Sequence, residues 1–414
     1  MREVLRIKTM RRLWYAQIVS IFGDFLALFA VIGVLTFKFH ATPRQVTGVQ
    51  IFYLVPIAVL GILAGVFVDR WPLKRTLVSS DLIRGLLVLL LIVSTQIWHF
   101  YLILAAISVV SSFFGPAQGV VIREAVPMHG LRSSNALMQQ AMFMMRIIGP
   151  AAAGMLVASF GASACYILDA VSFFASASII TSLAIQRSAT VHHHTVAEDK
   201  GAVAKIWHDM QQGMNFILHH AALLFVILAM SAGMFILGCF GPLIAVYVRD
   251  SVVAGGSIHE GNRVYGWASA MIGVGMLAGV NLINTYGRKL RNTVLVYTGL
   301  LGIAAGLVVL FALTHVWSTL LGDLMIGCSV AAIIIPAQTL MQQETPPELM
   351  GRVGSTFMSC IFTAQLLGLL LSGALAQFTS VRNVFAICAG MMVLLTLAGK
   401  LFMEPKPATG AIAG

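Results

Sequence analysis

Twelve apolar runs divide the chain, spanning about 14–37, 48–68, 77–97, 100–121, 136–158, 163–184, 221–247, 264–285, 293–313, 317–340, 354–376 and 383–403. A helix rises 1.5 Å per residue, so about 20 residues cross the roughly 30 Å hydrocarbon core of a bilayer. Lipid offers the backbone no hydrogen bonds, so each run is expected to be a helix that satisfies its own peptide groups. With 59% of 414 residues hydrophobic and only 10% charged, no soluble domain of this size accounts for the pattern. The first run does not read as a cleaved leader: it is too long, carries Asp24, and no small-x-small site follows it.

A polar stretch near the end of the fourth run occurs twice. Pro116, Ala117, Gln118, Arg123, Glu124, Pro127 and Arg132 return 220 residues later as Pro336, Ala337, Gln338, Gln343, Glu344, Pro347 and Arg352. A repeat of this length in so apolar a chain implies two homologous membrane halves. The expected fold is therefore an all-α membrane protein, with 12 transmembrane helices in two pseudo-symmetric six-helix bundles. The bundles are assigned to residues 1–185 and 221–404. A cytoplasmic loop, 186–220, joins them, and a disordered tail, 405–414, follows. The loop carries Glu198, Asp199 and Lys200, then an amphipathic stretch from Lys205 to Leu218 suited to the membrane surface.

The basic residues set the orientation. Of 26 Lys and Arg, 19 fall on the side of the N-terminus, five on the other, and Arg84 and Arg146 lie inside the membrane. Both termini are therefore expected in the cytoplasm, across a cytoplasmic (inner) membrane. The same rule explains the net charge of +11 without nucleic acid. Cys165, Cys239, Cys328, Cys360 and Cys388 all lie in apolar runs and read as packing residues. His192, His193 and His194 lack the companions that would fix a metal geometry, and no Gly-rich nucleotide loop precedes a helix. Neither a metal nor another cofactor is expected.

After the second run, Gly61 and Gly65 share a helix face, and Asp69, Arg70, Lys74 and Arg75 follow. Small residues admit a close neighbour, and charges at a helix end suit pairing across a seam. The second half repeats Gly275, Gly279, Arg288 and Lys289, but puts Ile283 in the place of Asp69. Gly65, Asp69, Arg70, Lys74 and Arg75 resemble the signature of the major facilitator superfamily, with Pro72 and Leu73 replacing a turn glycine. The likeness spans nearly the whole chain and is nearest to drug exporters that include macrolide efflux and enterobactin export proteins. It implies that Asp69 faces the start of helix eleven near Arg352, and that Glu124 and Arg75, with Glu344, join a cytoplasmic charge relay; an ordinary surface ion pair is the plainer alternative. Gly149, Pro150 and Gly154 resemble the helix-five motif of proton-driven exporters, with Ala153 departing from it. Generic small-residue packing would also explain them.

Charges deep in apolar runs are costly, about 2.5–3.5 kcal/mol each on insertion scales. Asp24 and Arg146 each lie about ten residues, or roughly 15 Å, into their runs. They are expected to face each other or water, with Asp24 either a proton carrier or half of a static pair with Arg146. Related exporters resemble each other in an arginine midway along helix four, where this chain has Ile107. Asp169 and Asp323 read as gate residues or as locally hydrogen-bonded groups, and Asp81 with Arg84 as a structural pair near the inner face. Gln139, Met142, Phe143, Met234, Phe235, Phe357 and Gln365 are candidates to line a cavity, although packing explains each one singly.

These features together predict a non-enzymatic secondary transporter, working as a monomer among membrane lipids by alternating access. It would export a small amphipathic, drug-like compound in exchange for protons. A siderophore, lysophospholipid or metal-ion exporter is the near alternative. A transporter-like sensor or an intramembrane enzyme is the distant one, and the chain lacks both a signalling domain and a converged nucleophile, acid and base.

Overall fold

The computed structural model describes residues 2–68, 71–183, 211–212, 214–286, 290–346 and 349–402. His192–His194 and residues 198–200 of the central loop, the 405–414 tail, and Asp69 and Arg70 lie outside the described residues. The surroundings of Gly65 and the side chains of Gln139, Phe143, Arg146 and Arg352 are likewise outside what is described.

After a short turn of helix at Arg2–Arg6, twelve long helices follow: α1 (Lys8–Gly33), α2 (Pro43–Val68), α3 (Leu73–Leu90), α4 (Ile97–Ala125), α5 (Leu131–Phe160), α6 (Ala162–Thr181), α7 (Ala221–Tyr247), α8 (Ile258–Thr285), α9 (Asn292–Ala312), α10 (Val316–Glu344), α11 (Met350–Phe378) and α12 (Val381–Phe402). Among the described residues, ten are long and apolar enough to cross a membrane. Their outward faces are apolar as well: Leu82, Ile83, Leu86 and Leu90 of α3 are exposed, as lipid contact requires.

The duplicated stretch is more helical than its polar residues suggest. Pro116 and Pro336 lie inside α4 and α10, about two turns before their ends. Ala117 and Ala337 are fully buried, and Gln118 Nε2 donates to Gln17 Oε1 on α1. The chain turns only afterwards, at Val126–Gly130 in the first copy. A proline is tolerated in a membrane helix when neighbours satisfy the carbonyl it frees.

Two compact units emerge, Met1–Asp199 with Ile244–Ala270, and Lys200–Leu243 with Met271–Gly414. In the first, α1 packs on α5 and α6, α2 on α4, and α3 on both α4 and α6. In the second, α9 packs on α10 and α12, the same pattern one half later. Glycines permit the close crossings. A Cβ on Gly275 would lie 2.2 Å from the Leu324 carbonyl oxygen, and one on Gly279 2.5 Å from that of Cys328. Gly275 and Gly279 thus let α8 lie against the backbone of α10. All five cysteines are free, consistent with their reading as packing residues.

Candidate functional site: a buried charge cluster in the first bundle

Three helices of the first unit bring charge to one place. Asp24 sits near the midpoint of the continuous helical span Lys8–Lys38. Asp81 and Arg84 lie midway along α3, and Asp169 lies in the first half of α6. Because α3 begins only at Leu73, the Asp81–Arg84 pair is central rather than near the inner face.

Arg84 Nη2 donates to Asp81 Oδ1, and Ser176 Oγ on α6 donates to Asp81 Oδ2 at 2.6 Å. The guanidinium lies between two rings, 4.5 Å from the centroid of Phe114 and 4.4 Å from that of Phe173. Such stacking holds a cation in an apolar setting and fixes its plane. Its Nε has no hydrogen-bond partner among the described residues. Asp169 is 1% exposed and accepts from Ser172 Oγ at 3.3 Å. Asp24 is only partly buried, whereas Asp81 and Arg84 are 0% and 4% exposed. Asp24 is therefore the member that open space reaches. It interacts electrostatically with Arg84 and Asp81, and Asp169 with Asp24 and Arg84. Tyr53 on α2 faces the same charges.

Among the described residues, the cluster holds three carboxylates and one guanidinium. In a low-dielectric interior that excess of acid is costly unless protons or another cation offset it. Sequence reasoning sets Asp24 deep in its run with Arg146 as a partner, and the Arg146 side chain lies outside what is described. Arg84 is the described cation beside Asp24. What went unused is that Asp24, Asp81, Arg84 and Asp169 all lie within apolar runs, and the penalty applied to one of them applies to all.

Gly23 makes the convergence possible. A Cβ there would stand 2.2 Å from Ser172 Oγ and 2.3 Å from Asp169 Oδ1. The helix-five residues serve similar close contacts. A Cβ on Gly149 would meet Phe25 Cβ at 2.6 Å, and one on Gly154 would meet Gly266 Cα at 2.6 Å. Pro150 is buried beside them, and its carbonyl faces Gly266.

Residues 244–270 are held in the first unit by further contacts at the same end. Arg249 Nη1 donates to the carbonyls of Thr36 at 3.1 Å and Ala41 at 2.8 Å, while its Nε pairs with Asp250 at 2.6 Å. Phe29 stacks on Tyr265 with centroids 5.3 Å apart. Sequence reasoning counts Arg249 only among the basic residues opposite the termini, because a lone loop arginine carries no periodic signal.

The other expected residues are less concentrated. Glu124 has both carboxylate oxygens buried with no partner among the described residues, while Arg75 and Glu344 are exposed and Lys74 is half-buried. Met142 is 41% exposed; Met234 borders a small void with Met230, Val330 and Ile333. Phe235 and Gln365 are half-buried, and Phe357 is fully buried, in packing rather than on an open wall. Asp323 is fully buried, and among the described residues neither of its oxygens has a hydrogen-bond partner. Among the described residues, no group of His, Cys, Asp and Glu is arranged to hold a metal.

A sequence profile of the Major Facilitator Superfamily matches residues 13–363 and 263–414. An uncharacterized MFS-type transporter of Bacillus subtilis, YfiS, is 26% identical over 409 residues, covering 96% of this chain and 95% of the relative. Macrolide efflux protein A of Streptococcus pyogenes is 23% identical over 406 residues, covering 95% of each. Among solved structures, a bacterial homolog of the human lysosomal transporter Spinster, inward-facing and unoccupied, aligns with a TM-score of 0.69 at 12% identity. That alignment covers 96% of this chain and 99% of the other.

Proposed function

The chain belongs to the Major Facilitator Superfamily, and on that premise we propose that this multi-pass membrane transporter is a proton-coupled exporter of small amphipathic compounds. The observation that carries the reading is Asp24: a partly buried carboxylate midway along its membrane-spanning helix, interacting with a buried Asp81–Arg84–Asp169 cluster with more acid than base. A proton arriving at Asp24 lessens that excess; its departure restores the field on Arg84. Charge change at such a point can bias a two-state membrane protein. The full-length relative named for macrolide efflux supports export over uptake.

Alternating access supplies the cycle. The contacts of Arg249, Tyr265 and Gly266 on the ends of α1 and α5 act as a clasp that closes one end. Gly149, Pro150 and Gly154 provide its tight face. The charge relay that the family resemblance implies would draw on Gly65, Asp69, Arg70, Lys74, Arg75, Glu124, Glu344 and Arg352. Among the described residues the buried oxygens of Glu124 have no partner, which supports a role in that relay. The 19-to-5 bias of basic residues supports cytoplasmic termini in an inner membrane. Met142, Met234, Phe235 and Gln365 offer adaptable surface to varied cargo, with Gln139 and Phe143 beside them in sequence. The bundles of residues 1–185 and 221–404 act as a monomer.

The test is transport in proteoliposomes with an imposed pH gradient and a panel of amphipathic compounds, macrolides included. Substrate-dependent proton flux supports the proposal. Transport indifferent to the gradient replaces it with a uniporter or a lipid flippase.

A further inference from the structure

A cavity of about 400 Å³ lies in the first unit, away from the charge cluster, between the start of α3 and the middle of α4. Its wall includes Trp71, Arg75, Ser79, Ile83, Val109 and Phe113. The two ends differ in chemistry. At one end Arg75 is exposed and, among the described residues, makes no ion pair; Lys74 is its neighbour. Ser79 already donates to the Thr76 carbonyl at 3.2 Å, so the exposed guanidinium of Arg75 is the cationic donor on that wall. At the other end Ile83 and Val109 are 45% and 37% exposed, near the exposed Leu82, Leu86 and Leu102 of the same two helices.

Aromatic rings shape the polar mouth. Trp71 stacks on Phe113 with centroids 5.4 Å apart, and Phe67 packs against both at 5.8 and 6.5 Å. Trp71 and Phe67 remain 42% and 49% exposed. Exposed tryptophan beside arginine at a helix end is the composition of a membrane–water boundary. From Arg75 to Ile83 the groove runs eight residues, roughly 12 Å along α3, into the apolar span.

We propose that this groove binds an anionic phospholipid, its phosphate on Arg75 and the upper part of one acyl chain along Ile83, Val109 and Phe113. Charge and position together select that occupant. A soluble peptide cannot reach walls that lie within a membrane span, and a free anion leaves the apolar half unfilled. Acyl chains gain little by leaving surrounding lipid for an apolar groove, so the selection rests with the head group. A planar guanidinium binds phosphate through two parallel donors, which a zwitterionic lipid partly neutralises with its own cation. Basic pockets between helices on the side rich in Lys and Arg are suited to acidic head groups. The inference does not depend on proton coupling or on the cargo.

Native mass spectrometry of the delipidated full chain tests it, with phosphatidylglycerol and phosphatidylcholine offered in equal amounts. The wild type is expected to retain phosphatidylglycerol, and Arg75→Gln to bind it roughly tenfold more weakly, the loss of one charge-assisted contact. Ser79→Phe, which fills the groove and keeps the charge, is expected to lower retention too. Inorganic phosphate at millimolar concentration should not displace the lipid. Equal retention of the two lipids, wild-type retention by Arg75→Gln, or undiminished retention by Ser79→Phe each overturns the proposal. Displacement by phosphate alone reduces the site to an anion site and overturns the lipid assignment.

Discussion

Asp169 holds its Oδ1 against the bare backbone of Gly23, where a Cβ would stand 2.3 Å away. The contact joins α6 to α1 one residue before Asp24, so the charge cluster and the helix crossing are one piece of structure. Alanine at position 23 must displace Asp169 and Ser172. Gly23→Ala should destabilise the protein by about 1–3 kcal/mol, read as a lower thermal unfolding midpoint in detergent. Unchanged stability would mean that the crossing yields without strain.

The pairing of Arg84 with Asp81 predicts a second outcome. Arg84→Gln leaves Asp81 and Asp169 buried without their cation, a loss of about 3–5 kcal/mol for a broken buried pair. Asp81→Asn with Arg84→Gln should cost clearly less than the sum of the two single changes. A double-mutant cycle on unfolding checks this; additive effects would show that Asp81 and Arg84 act independently, through Ser176 and the flanking rings and not through their pairing.

At the clasp, Gly154 and Gly266 meet backbone to backbone. Gly154→Val should prop that crossing open and raise the labelling of a cysteine placed at Asn262, a residue only 4% exposed. Labelling with a membrane-impermeant thiol reagent measures it. Equal labelling in the two backgrounds would remove the clasp from the transport cycle.

Arg249 reaches two carbonyls, those of Thr36 and Ala41, beyond the end of α1. Arg249→Ala should raise labelling at the same Asn262→Cys position, and Arg249→Lys should restore it only in part, because an ammonium lacks the planar fork. Full restoration by lysine would show that charge alone matters.

Much of this architecture is legible in the sequence because lipid leaves few solutions. Apolar runs of bilayer length became long helices, ten of them, among the described residues, long and apolar enough to cross a membrane, and the Pro116 and Pro336 copies fell at equivalent places in α4 and α10. Helical continuity through those prolines was not legible, since it depends on tertiary neighbours such as Gln17. Asp24 announced itself by depth. Its grouping with Asp81, Arg84 and Asp169 did not, because one-dimensional spacing within a helix says nothing of which neighbour it crosses. Gly23, the residue that sets that crossing, looks in sequence like any other membrane glycine.

Proton flux through Asp24 is the most direct test of the whole account. Reconstituted wild type and Asp24→Asn are compared for substrate-driven proton movement and, separately, for substrate exchange at equal pH. We predict that Asp24→Asn abolishes the proton movement while exchange persists. Proton-driven export at the wild-type rate by Asp24→Asn would contradict the account and take the coupling site out of the α1–α3–α6 cluster.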